Sequence, residues 1–126
     1  MRDDRERLAD VLAAIDRIRR HVQNDRARFE TDELLQNAML HWIEISGEAA
    51  RGVSDKVREA HPEVRWRVII DMRNQVSHGY FDIDLNVVWN TVTRDIPHLR
   101  ESVTVVSDAL HLVRYVSRTW STGAAR

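Results

Sequence analysis

The chain has 126 residues, 43% hydrophobic and 31% charged, a length and balance that fit one folded domain and exclude a disordered chain. Its 19 basic and 20 acidic residues nearly cancel, so no global field draws in a long nucleic acid and any RNA site must be local. Cysteine is absent, which excludes disulfides, zinc ribbons and thiol nucleophiles. No apolar run approaches the roughly 20 residues of a membrane span, and MRDDRERLAD lacks the apolar core of a signal peptide, so the expectation is a cytoplasmic protein.

Four glycines and two prolines are too few for a sandwich or barrel, which needs turn residues every ~8–12 positions, so the predicted fold is all-α, a bundle of about four to six helices. A single domain over 1–118 and a flexible tail over 119–126 are expected. In chain order, Leu8, Val11, Leu12, Ile15, Ile18 and Val22 recur at three- and four-residue steps and predict a long first helix. Thr31, with Asp32 and Glu33 behind it, is expected to cap a second helix whose core face is Leu35, Ala38, Met39, Trp42, Ile45 and Ala49, closed by Gly52. Ser54 opens a short helical segment through Lys56 and Glu59, and Pro62 suits the first turn of a helix reaching His78. Gly79 is placed to end that helix in the left-handed conformation. Asp84 can cap a further helix through Leu85, Val88, Trp89 and Val92, and Pro97 starts or kinks the next, continued by Val103, Val106, Leu110 and Val113.

Chemistry concentrates in RNQVSHGY, residues 73–80, where Arg73, Asn74, His78 and Tyr80 gather a cation, an amide, an imidazole and a phenol. RNA carries its own nucleophile, the 2′-hydroxyl. A nuclease therefore needs only a base, an acid for the departing 5′-oxygen and positive charge at the phosphorane, with no metal or cofactor. Histidine titrates close to neutrality, and arginine offers a permanently charged fork for phosphate oxygens. Five residues at 100° set Arg73 and His78 about 140° apart on one helix. A composite site then requires distortion at the helix end or a second copy across a two-fold axis, which makes a homodimer a mechanistic expectation.

The plainer readings are a chance arginine–histidine spacing in a helical protein, a helix-surface or buried structural amide at Asn74 and a core aromatic at Tyr80. Trp42, Trp66 and Trp89 read as packing residues. His21, His41, His61, His98 and His111 lack metal-ligand spacing, and the i, i+4 pair Glu44 and Glu48 reads as a solvated face. The basic concentration from Arg51 to Arg73, with Lys56, Arg58, Arg65 and Arg67 against Asp55, Glu59, Glu63 and Asp71, reads the same way.

The run RNQVSHGYFDIDLNVVW resembles the signature of the HepT-like branch of HEPN proteins: arginine, four residues, histidine, any residue, tyrosine. The resemblance extends upstream through IEISGEAARGVSDKVREAHPEVRWRVIIDMRN and downstream through VTRDIPHL, roughly residues 35 to 99. It implies an all-α homodimer with one RNA cleft, the toxin of a toxin–antitoxin system, neutralised by a minimal nucleotidyltransferase. Arg73 and His78 would be catalytic, Asn74 would support the site, and Tyr80 would be the hydroxyl that the antitoxin modifies with AMP. One departure stands in AMLHWIEISGEA, where His41 and Trp42 replace an expected arginine–asparagine pair. The alternative function is a non-catalytic partner that binds a nucleotide or scaffolds the nucleotidyltransferase.

Overall fold

The computed structural model describes residues 2–76 and 83–124, without the side chains of residues 73, 75, 76, 114, 115 and 117–124. Its elements are α1 (Asp4–Val22), α2 (Arg26–Thr31), α3 (Glu33–Arg51), α4 (Asp55–Ala60), α5 (Trp66–Val76), α6 (Leu85–Asn90), a π-turn (Thr91–Asp95) and α7 (Ile96–Ala124). The backbone stays right-handed helical through Asn90, Thr91 and Ile96, so α6, the π-turn and α7 form one rod, and the described chain is an all-α bundle of six continuous helical stretches.

α1 forms as its periodicity predicts: Leu8, Val11, Ile15, Ile18 and Val22 are buried and Leu12 is half-buried. Asp3 caps it by accepting from the Glu6 N–H at 2.9 Å, and Gln23 and Asn24 in the left-handed region end it. α2 was not anticipated. Asp25 caps it through the Arg28 N–H at 3.1 Å, and it seats Phe29 fully in the core. Its presence corrects the expected cap of α3. Thr31 is the last residue of α2, its hydroxyl donating to the Ala27 carbonyl, while Asp32 caps α3 by accepting from the Leu35 N–H at 3.0 Å. A carboxylate in that position also favours the positive end of the helix.

Gly52 does close α3, in right-handed rather than left-handed geometry, and Ser54 caps α4 through the Val57 N–H. The helix expected from Pro62 starts four residues later. The His61 carbonyl accepts from the Val64 N–H at 3.2 Å and from the Trp66 indole N–H at 3.0 Å, and this folds residues 61–65 into a turn that buries Val64. A carbonyl used in that way cannot start a helix at Pro62, so α5 begins at Trp66. Pro97 lies inside the rod. The Ile96 N–H reaches back to the Thr91 carbonyl, five residues away, and this wider turn comes directly before a residue whose ring and missing N–H disfavour an unbroken α-helix.

α7 buries Ile96, Leu99, Val103 and Val106, then leaves the bundle. Leu110 is half-buried and Val113, within the helix as expected, is 65% exposed. The helix runs to Ala124, past the expected 118/119 boundary, and Gly79 lies outside the described residues. No helix among the described residues is long and apolar enough to cross a membrane.

Candidate functional site

α5 carries the first half of the motif, and its position is fixed by α3. Gly47 sits so close to α5 that a Cβ there would lie 3.1 Å from the Ile69 carbonyl oxygen and 3.4 Å from that of Ile70. Ser46, beside it, is fully buried with its hydroxyl donating to the Ile43 carbonyl at 2.8 Å. Small side chains thus bring the two backbones into near contact, while Trp66, Ile69 and Met72 anchor the inner face of α5 in the core. α5 starts just after the connection from the C-terminal end of α3. It leads towards α6, which packs on α2 and α3 near the N-terminal end of α3, so the two helices run antiparallel.

Arg73 follows the buried Met72, one turn beyond the crossing at Gly47, or about 5 Å along the axis. Asn74 is exposed. His78 and Tyr80 lie outside the described residues, so of the four motif residues the structure places Arg73 and Asn74, adjacent near the end of α5.

The far side of the motif is anchored as well. Asp84 caps α6 by accepting from the Asn86 and Val87 N–H groups at 3.0 and 3.3 Å, as expected. Trp89 packs on Phe29 with ring centroids 5.4 Å apart, and Arg26 lies over the Trp89 ring and bonds to the Asn86 side chain. Segment 77–82 is therefore bounded by two helices whose ends are tied to the core.

The surrounding charges behave mostly as a solvated face. Arg51 pairs with Glu48 at 3.4 Å and Arg58 with Asp55, exposed pairs that contribute little to stability. Glu63 is held below the ordinary carboxylate range first by its own backbone N–H and then by His61, whose Nδ1 is 3.1 Å away. Among the described residues no group of three or more histidine or carboxylate side chains is arranged to hold a metal. Trp66 and Trp89 are packing residues, as expected.

One feature escaped the sequence reading. Between α1 and α3 lies a groove of about 670 Å³, walled by Arg7, Arg17, His41, Trp42, Glu44 and Glu48 over a floor of Ala13, Ala14 and Ala49. Trp42 is stacked on His21, centroids 5.2 Å apart and planes 25° from parallel. The available signal was the small residues Ala13, Ala14 and Ala49, which keep two neighbouring helices from filling the space between them.

The fold among the described residues is an all-α bundle, with Arg73 and Asn74 of the sequence motif RNxxxHxY near the end of α5. Within that fold class the chain belongs to the family described as "Ribonuclease HepT-like", which matches residues 11–106 and so includes the whole motif. Similar relatives include the "Probable ribonuclease HepT" of Thermococcus cleftensis, 33% identical over 79% of this chain and 88% of that protein. Another is the "Putative RNase MJ1380" of Methanocaldococcus jannaschii, 30% identical over 83% of this chain and 97% of that one. No solved structure matches the chain significantly.

Proposed function

We propose that this chain is the cytoplasmic toxin of a toxin–antitoxin pair, a metal-independent endoribonuclease that cuts RNA by attack of the 2′-hydroxyl on the adjacent phosphate. The observation that carries this reading is the family match over residues 11–106, which spans an intact arginine–histidine–tyrosine motif. Relatives named as ribonucleases support it. So does the placement of Arg73 and Asn74 near the end of a helix whose other face is locked in the core.

In this mechanism His78 moves the proton between the 2′-hydroxyl and the leaving 5′-oxygen, and Arg73 stabilises the charge that builds on the phosphorane. Asn74 orients the phosphate or His78. Two protomers contribute to one cleft, because a regular helix separates Arg73 and His78 by about 140°. A nucleotidyltransferase antitoxin attaches AMP to Tyr80, adding negative charge and bulk where RNA phosphate should sit.

The test is incubation of the purified protein with end-labelled RNA in EDTA. Fragments ending in 2′,3′-cyclic phosphate are expected, and intact RNA or 3′-hydroxyl ends would overturn the mechanism. Arg73→Ala and His78→Ala should each abolish cleavage with the helical circular-dichroism spectrum intact. Mixing the two inactive variants should restore part of the activity if the cleft is shared, and none if each protomer works alone. Tyr80→Phe should keep cutting RNA in the presence of the antitoxin and ATP, conditions that silence the parent.

A further inference from the structure

We infer that the α1–α3 groove is a binding site for single-stranded RNA. The inference rests on the ribonuclease reading for the identity of the ligand, and on the groove itself for everything else.

Charge comes first. Asp10 is engaged by Arg2 at 2.7 Å, Glu48 by Arg51 at 3.4 Å, and Glu44 is also engaged. Arg7 and Arg17 make no ion pair or hydrogen bond among the described residues, and the Arg7 Nε is buried with no partner atom. Two of the groove's carboxylates, Asp10 and Glu48, thus have cationic partners outside it, while the Arg7 and Arg17 guanidinium groups have none among the described residues. Ten residues of α1 set those cations about 15 Å apart along the axis, enough to follow more than one phosphate of a strand.

The aromatic wall supplies the second element. Trp42 lines the groove while His21 stacks against it, so the indole is braced in place. A braced ring beside arginines is the combination that binds single-stranded nucleic acid, with bases stacking on the ring and phosphates meeting the cations. A protein helix in the same groove would leave both guanidinium groups uncompensated unless it brought matching acids; an RNA strand brings a phosphate at every step. Location is the third element. The groove opens on the side of α3 away from the Gly47 crossing, where no part of α5 fills it.

Binding is measured by fluorescence anisotropy with a labelled 2′-O-methyl oligonucleotide, which cannot be cut. Trp42→Ala should weaken binding roughly tenfold, and Trp42→Phe should retain most of it. Arg17→Gln, at an exposed position where folding is not at risk, should weaken binding and flatten the dependence of log affinity on log salt by about 0.7. Lys56→Gln, an equal charge change on α4, should do neither. Equal affinities for Arg17→Gln, Trp42→Ala and the parent overturn the site, whether or not RNA is cleaved, as does equal weakening by Lys56→Gln. A parent protein that binds the oligonucleotide through Trp42 and Arg17 but never cuts RNA would uphold the site and remove the nuclease reading.

Discussion

The two sides of α3 treat space in opposite ways. Towards α5, Ile43, Ser46, Gly47 and Ala50 are buried, and the contact is so close that a single carbon added at Gly47 would press on main-chain oxygens. Towards α1, Ile45 is 38% exposed and Trp42, Glu44 and Ala49 stand around an open groove. On the open side, Arg7 and Arg17 have no ion-pair partner among the described residues. One helix thus fixes the position of the motif-bearing α5 by steric exclusion and keeps its other side free for a ligand.

The widest separation between the sides should appear in the isoleucines two residues apart. Ile43→Ala opens a cavity in a fully buried site and should cost about 2–5 kcal/mol, whereas Ile45→Ala should stay within about 0.5 kcal/mol. Urea melts of the two variants check this. Equal costs would mean that the groove is covered in solution, and a midpoint that rises with protein concentration would name a second copy as the cover.

Gly47→Val tests the closed side from the other direction. Its branched side chain must displace the Ile69 and Ile70 carbonyls, so a loss of about 1–3 kcal/mol is expected. Displacing α5 moves Arg73 with it. RNA cleavage at a temperature where the variant is still folded should fall in kcat; an unchanged kcat would show that α5 does not depend on this crossing for its position.

How much of this was legible in the sequence follows from the same helix. Leu35 and Met39 were readable because, near the N-terminal end of α3, the buried stripe is narrow and apolar. From residue 42 onward the reading favoured Ile45 over Ile43, because α3 is covered on the α5 side by small residues, and Ser46 and Gly47 do not register as core in an apolar pattern. The isolated Gly47 was the missed clue, since a glycine inside an otherwise helical run usually has a packing reason. α2 was missed for lack of length: six residues offer one buried side chain, Phe29, and no periodicity. The motif, by contrast, stands out in the sequence because four dissimilar functional groups fall within eight residues. The groove was not, since it arises from Arg7 and Arg17 on one helix meeting Trp42 on another, a pairing that only packing creates.

A smaller effect is expected at the start of α3. Asp32→Ala removes the acceptor for the Leu35 N–H and should cost about 1 kcal/mol, with Asp32→Asn recovering most of it. Thermal melts should rank the parent, Asn and Ala forms in that order, and an unaffected Asp32→Ala would return the capping role to Thr31.

The smallest effect belongs to the wall that α1 contributes to the open side. Asp3 is held below its ordinary carboxylate value of 3.8, first by the Glu6 backbone N–H and then by the Arg5 side chain. A carboxylate whose affinity for protons is lowered by folding favours the folded state above its ordinary value and loses that contribution as pH falls through the lower, folded value. Acidification should therefore loosen the first turn of α1, where the Arg7 N–H bonds to the Asp3 carbonyl, and leave the α3–α5 crossing untouched because Gly47 meets main-chain oxygens there. A carboxyl-detected NMR titration should give Asp3 a midpoint below the ordinary value, with faster amide exchange at Glu6 and Arg7 below it and no change at Ile69 or Ile70. In Asp3→Ala those two amides should already exchange fast at neutral pH, with no further acid step. If Glu6 and Arg7 kept the parent's protection in that variant, the cap would have no part in holding Arg7 at the groove.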